Sequence, residues 1–172
     1  MNFGSIILGK IKEEKSKAVE NKPGEKFITT QYNEGGCQFQ VKFKDVDKYG
    51  IVLDYIAISR GTPILDLDIL NKTLKEQAEK VQEKITYLLE DFKLIELDMM
   101  NKRAQLRSYP PHKKEDSRFY YEIMLDEGSK VHFLRYEYSA GQRRFEKITS
   151  QLTLETFERL IDDLAEVLCE QT

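Results

Sequence analysis

The chain of 172 residues has no tryptophan, two cysteines, two histidines and four prolines. Each scarcity excludes a class of chemistry. Cys37 and Cys169 lie far apart in the sequence, so the closely spaced cysteines of a small secreted disulfide scaffold are missing. Neither cysteine belongs to a CxxC pair, and His112 and His132 are too far apart in sequence to form a local ligand pair. No metal and no cofactor is therefore expected. No GxxxxGK[ST], GxGxxG, GxSxG or HExxH stands anywhere in the chain, which leaves an enzyme as the less favoured reading. The lack of tryptophan lowers the case for an aromatic carbohydrate platform.

Long apolar runs are missing too. No stretch approaches the ~20 apolar residues that a membrane helix needs. Ile6-Ile7-Leu8 is too short for the core of a signal peptide. The sequence thus reads as cytoplasmic, without a membrane partner. Net charge is −3 with a pI near 5.6, so bulk charge gives no push toward nucleic acid. Any such binding has to come from a local patch. A hydrophobic fraction of 40% alongside 33% charged residues suits one globular domain with a solvated surface.

The strongest positive signal is helical. Leu67, Leu70, Leu74, Ala78, Val81, Ile85, Leu88 and Phe92 recur three and four apart, which places them on one face of a helix over 66–92. Asp66 or Asp68 can cap its first turn. The same positions also fit a heptad seam with Asn71 as a register residue, the pattern of a homodimeric coiled coil. Asn71 and Ala78 weaken that seam, so the helix is expected to lie on its own sheet. A second amphipathic helix is expected over 154–169, capped by Thr153 and buried through Phe157, Leu160, Ile161, Leu164 and Leu168. Asp162 and Asp163 fall on its solvated side.

The remainder reads as strands. Residues 26–32, 37–44, 51–58, 118–126, 130–138 and 143–148 are β-branched, aromatic or alternating. Residues 94–107 admit a hairpin turning at Asn101-Lys102, or a continuation of the helix to Ser108. The hairpin is favoured, because a continuous helix would far exceed the usual 8–20 residues. Residues 110–117 read as a loop. Asp45 to Gly50 resembles a calcium loop but has Tyr49 at its fifth position and Ile56 at its twelfth, so it reads as a turn. Residues 1–25 form a charged arm, either helical and anchored by Ile7 and Ile11 or without fixed structure. The expected fold is α+β: antiparallel β-meanders with a long central amphipathic helix and a C-terminal amphipathic helix packed on the sheet. Residues 26–172 are read as one domain, with two related halves at 26–92 and 118–169 as the alternative.

One surface stands out. Arg103, Arg107, Lys113, Lys114 and Arg118 crowd one stretch near Tyr120, and Arg135 and Arg143 follow on the next strands with Phe133. Arginine beside aromatic rings can anchor a protein partner or hold phosphates and stack bases. Glu96, Glu115, Asp116, Glu122 and Glu137 could instead balance it as a plain solvated face. The 130–138 strand is apolar on both faces, so something is expected to cover each of them. The leading expectation is a non-enzymatic, cytosolic, adaptor- or chaperone-like protein-interaction module, its partner another protein or a second copy of itself. Two alternatives stand behind it. One is an enzyme or small-ligand binder with a dispersed Arg/Tyr site on the sheet. The other, ranked last, is weak nucleic-acid binding through 102–118.

Overall fold

The structure is a computed structural model that describes residues 2–21 and 27–169. Among the described residues ten strands form one antiparallel sheet, and three helices pack on it. The helices are α1 (Phe3–Asn21), α2 (Leu67–Lys84) and α3 (Leu154–Val167). The first three strands are β1 (Ile28–Glu34), β2 (Cys37–Val46) and β3 (Gly50–Arg60). After α2 come β4 (Phe92–Asp98), β5 (Arg103–Ser108), β6 (His112–Lys114) and β7 (Ser117–Asp126). The last three are β8 (Lys130–Ser139), β9 (Arg144–Ile148) and β10 (Ser150–Thr153). The spatial order is β1-β2-β3-β8-β7-β5-β4, with β6 beside β7, β9 beside β8 and β10 beside β3.

The alternation of each strand decides which face is buried. Phe39, Val41 and Phe43 of β2, Leu53, Ile56 and Ile58 of β3, Ile123 and Leu125 of β7, and Val131 and Phe133 of β8 all point to one side and are buried. The helices close that side, α1 over β1 and β2, α3 over β3, and α2 over β4, β5 and β7. Burying each large side chain contributes roughly 1.5–3 kcal/mol, so this face carries most of the stability. Among the described residues no helix covers the opposite face, the open face of the sheet.

Strands β3 and β8 pair only over Ile56–Ser59 and Lys130–Phe133. Beyond that they diverge, and one stretch of chain joins both: β9 pairs with the far end of β8, then β10 pairs with the near end of β3. A bulge in β3 permits the divergence, because the register between β2 and β3 steps from Tyr55 to Leu53 and leaves Asp54 as the extra residue. The Asp54 carboxylate accepts from Lys147 of β9 at 2.6 Å and lies 3.8 Å from Lys42 of β2.

Most expected elements are present. The C-terminal helix has Thr153 as its N-cap, and all five of its expected buried residues are buried. Residues 94–107 are a hairpin, turning through Lys102 with φ of 59°. The Asp45–Gly50 segment turns on the Asp47 carboxylate, which accepts from the amides of Tyr49 and Gly50. At the N-terminus α1 is a packed helix with Ile7 and Ile11 fully buried. α2 lies on its own sheet through Leu70, Leu74, Ala78 and Val81, with Asp66 accepting from the amides of Asp68 and Ile69.

Four readings need correction. The central helix ends at Lys84, not at Phe92. Eighteen residues of helix span ~27 Å, close to the ~33 Å of the ten-residue strands beneath. A longer helix would run past the sheet, so residues 85–91 return as a loop that still buries Ile85 and Leu88. Leu67 leaves the stripe and is 55% exposed. The loop expected at 110–117 contains the short strand β6. Finally, Asp162 and Asp163 are not merely solvated. The Gly4 amide of α1 donates to Asp162 at 3.0 Å, and the Tyr87 hydroxyl donates to Asp163 at 2.9 Å. An amide in the first helical turn has no intrahelical acceptor, which makes a carboxylate on a neighbouring helix an effective cap. Burial pushes the Asp163 carboxyl above the usual aspartate range.

Candidate binding face

Cross-strand register writes out the open face row by row. One row runs Lys113–Arg118–Tyr138–Phe145 across β6, β7, β8 and β9. The next runs Tyr120–Tyr136–Lys147, and the one after it Lys93–Arg107–Glu122–Leu134. Further down, Gln105, Met124, His132, Ala57, Gln40 and Gln31 lie side by side. The last row holds Arg103, Asp126, Lys130, Ser59, Gln38 and Asn33. The face therefore has a cationic and aromatic end and an amide end.

At the first end the rings form one cluster. Tyr136 lies 5.8 Å from Tyr120 and 5.3 Å from Phe145, and Phe145 lies 5.7 Å from Tyr120 and 6.2 Å from Tyr138. The Arg107 guanidinium sits 4.7 Å above the Tyr120 ring and 5.8 Å from Phe145, distances of cation–π contact. Its Nε lies 3.7 Å from Glu122, which also accepts from Gln105. Burial pushes the Tyr120 and Tyr136 phenols above the usual tyrosine range, with Glu122 adding to the shift. The Tyr120 hydroxyl and the Arg107 Nε are buried without a hydrogen-bond partner.

Lys113 and Arg118 are both exposed and directly opposite one another. Among the described residues neither is ion-paired. Like charges at opposed positions are destabilising. Beside them Phe145 exposes 51% of its surface. At the amide end, Gln31, Asn33, Gln38, Gln40, Ser59, Lys130 and His132 line a shallow hollow. His132 is half-buried there, and that burial holds its imidazole below the usual histidine range.

The expected site residues separate by face. Arg103, Arg107, Lys113, Arg118 and Tyr120 share the open face. Phe133 does not; it is fully buried under the helices and stacked 5.4 Å from Tyr121. Arg135 also lies on the helix side, 4.3 Å from the Tyr121 centroid. Lys114 is opposite Ser117 at the end of β6, and Arg143 stands in the turn before β9 with φ of 49°. Tyr136, Tyr138, Phe145 and the glutamines of β1 and β2 were not anticipated. The signal for Tyr136 and Tyr138 was present, since both have the parity of Tyr120 in the final register. For Phe145 no local signal exists, because its place depends on where β9 docks.

The two thiols, remote in sequence, meet a single guanidinium. Cys37 is opposite Arg60 in the β2–β3 register, and Arg60 donates to the Cys169 sulfur at 2.6 Å. Cys37 is on the helix face and His132 on the open face, so the sheet separates them.

No family model matches the chain, and no curated protein matches it. Among solved structures, the crystal structure of WHY1 from Arabidopsis thaliana aligns over 85% of this chain and 85% of its own, with 11% identity and a TM-score of 0.24. A likeness that slight carries no argument about fold or function.

Proposed function

We propose that this chain is a non-enzymatic binding module and that the open face of its sheet is the surface that engages the partner. The observation that carries this reading is the row Lys113–Arg118–Tyr138–Phe145, where two unneutralised cations oppose each other beside an exposed ring. Opposed like charges are destabilising, and a half-exposed ring beside them offers a partner an apolar contact next to the cations. The neighbouring Arg107, its guanidinium stacked on Tyr120 and near Phe145, supports the same reading by extending the cationic and aromatic surface. The amide hollow at the other end supports binding over catalysis: glutamines and a serine line it beside His132, and among the described residues no carboxylate is hydrogen-bonded to the imidazole, Asp126 acting on it through charge alone.

A photo-crosslinking amino acid at position 145 tests the proposal against the same group at Lys75, which is exposed on α2. After irradiation in cell extract, adducts are expected from position 145 and not from position 75. Equal adduct formation from both positions, or none from position 145, contradicts the assignment of the open face.

A further inference from the structure

We infer that the partner of the open face is a single-stranded nucleic acid, an inference that rests on reading this face as the binding surface. Lys113 and Arg118 are held opposite each other by backbone pairing and repel; a phosphate strand laid across them relieves that repulsion. The next residues along the same row are the rings of Tyr138 and Phe145, so a chain following the row meets cations for its phosphates and then π-faces for its bases. Phe145, half exposed and supported from behind by Tyr136, is a ready stacking platform. At the far end the amides of Gln38 and Gln40 present paired donors and acceptors of the kind that read base edges. They carry no charge themselves, and Ser59 and the Lys130 cation stand between Gln38 and Asp126 in the same row.

A duplex fits this surface poorly. Stacking on Phe145 and Tyr138 requires bases that are not already stacked in pairs, and the row that carries these rings runs across the strands of the sheet rather than along a helix that could enter a groove. An acidic protein would also satisfy the cations. The rings set directly beside them and the uncharged amides beyond favour a ligand whose anions alternate with flat heterocycles.

The test is fluorescence anisotropy with a labelled 20-mer of oligo(dT) and one of oligo(U), against a duplex of equal length and poly-glutamate as competitor. Both single strands are expected to bind and to resist displacement by poly-glutamate, with the duplex weaker. Phe145→Ala is expected to weaken single-strand binding about tenfold. The double variant Lys113→Glu, Arg118→Glu is expected to abolish binding at moderate salt. A milder double variant, Lys113→Gln with Arg118→Gln, should reduce the slope of log K against log salt by about 1.4, the value for two lost phosphate contacts on a single strand. Circular dichroism melts establish that each variant is folded. Absence of single-strand binding, or an unchanged slope in the Gln variant, overturns the inference. The position-145 crosslink separates the two levels of the argument: an adduct destroyed by nuclease supports this inference. An adduct destroyed only by protease overturns it while leaving the binding face in place, and no adduct at all removes both.

Discussion

Phe133→Ala is expected to lower the free energy of unfolding by about 3–5 kcal/mol, while Phe145→Ala changes it by no more than ~1 kcal/mol. The two phenylalanines lie twelve positions apart on adjoining strands and have the same chemistry. Phe133 is fully buried beneath the helices, where it stacks on Tyr121, and truncation leaves a cavity that the packed helices cannot fill. Phe145 has half its surface in water, so truncation removes ring contacts and opens no cavity. Urea unfolding of both variants measures the difference. Equal losses would mean that β9 is part of the core and that the open face is covered. Binding should follow the opposite order: Phe145→Ala impairs it in a folded protein, and Phe133→Ala affects it only through unfolding.

The second large effect is expected at Gly4. A Cβ built there falls 2.2 Å from the Glu158 carbonyl oxygen and 2.6 Å from its Cα, both backbone atoms of α3. No rotamer change relieves such a contact; α1 has to move away from α3. Gly4→Ala gains helix propensity of about 1 kcal/mol, yet the steric term should win and leave a net loss of about 1–3 kcal/mol. The displaced helix would also withdraw the Gly4 amide from Asp162. Gly9 on the same helix supplies the control, since a Cβ there meets nothing within 4 Å. Gly9→Ala should therefore stabilise by ~0.5–1 kcal/mol. Thermal midpoints of the two variants should move in opposite directions. A parallel shift would contradict the close crossing of α1 and α3.

The pattern of what the sequence disclosed follows from range. The stripe and the cap of α3 were legible because both are local, whereas the partners of Asp162 and Asp163 come from α1 and the 85–91 loop. The hairpin at 94–107 was legible because period-two alternation resumes at Ile95 and because so long a helix would be rare. The end of α2 was not, since Ile85, Leu88 and Phe92 keep helical spacing and only the length of the sheet below shows why the chain must turn back. β6 and β10 are three and four residues long, too short for any periodicity to register. The candidate face was half legible. Arg103, Arg107 and Arg118 could be gathered from sequence proximity alone. Which parity of β8 looks outward could not, because both parities carry large apolar groups. Phe133 and Arg135 were therefore grouped with Tyr120, although register places Tyr120 opposite Tyr136 and leaves Phe133 and Arg135 beneath the helices. The like-charge pair of Lys113 and Arg118 is likewise a product of β6 folding back on β7.

Hydroxyl-radical footprinting with and without the 20-mer of oligo(dT) tests the central claim most directly, because it reads side chains and so distinguishes the two faces of one strand. Oxidation of Phe145 and Tyr138 is expected to fall several-fold on binding. Tyr49, 74% exposed in the β2–β3 turn, should be unaffected. Protection of Tyr49 or of residues on the helix layer, with Phe145 and Tyr138 unchanged, would contradict it.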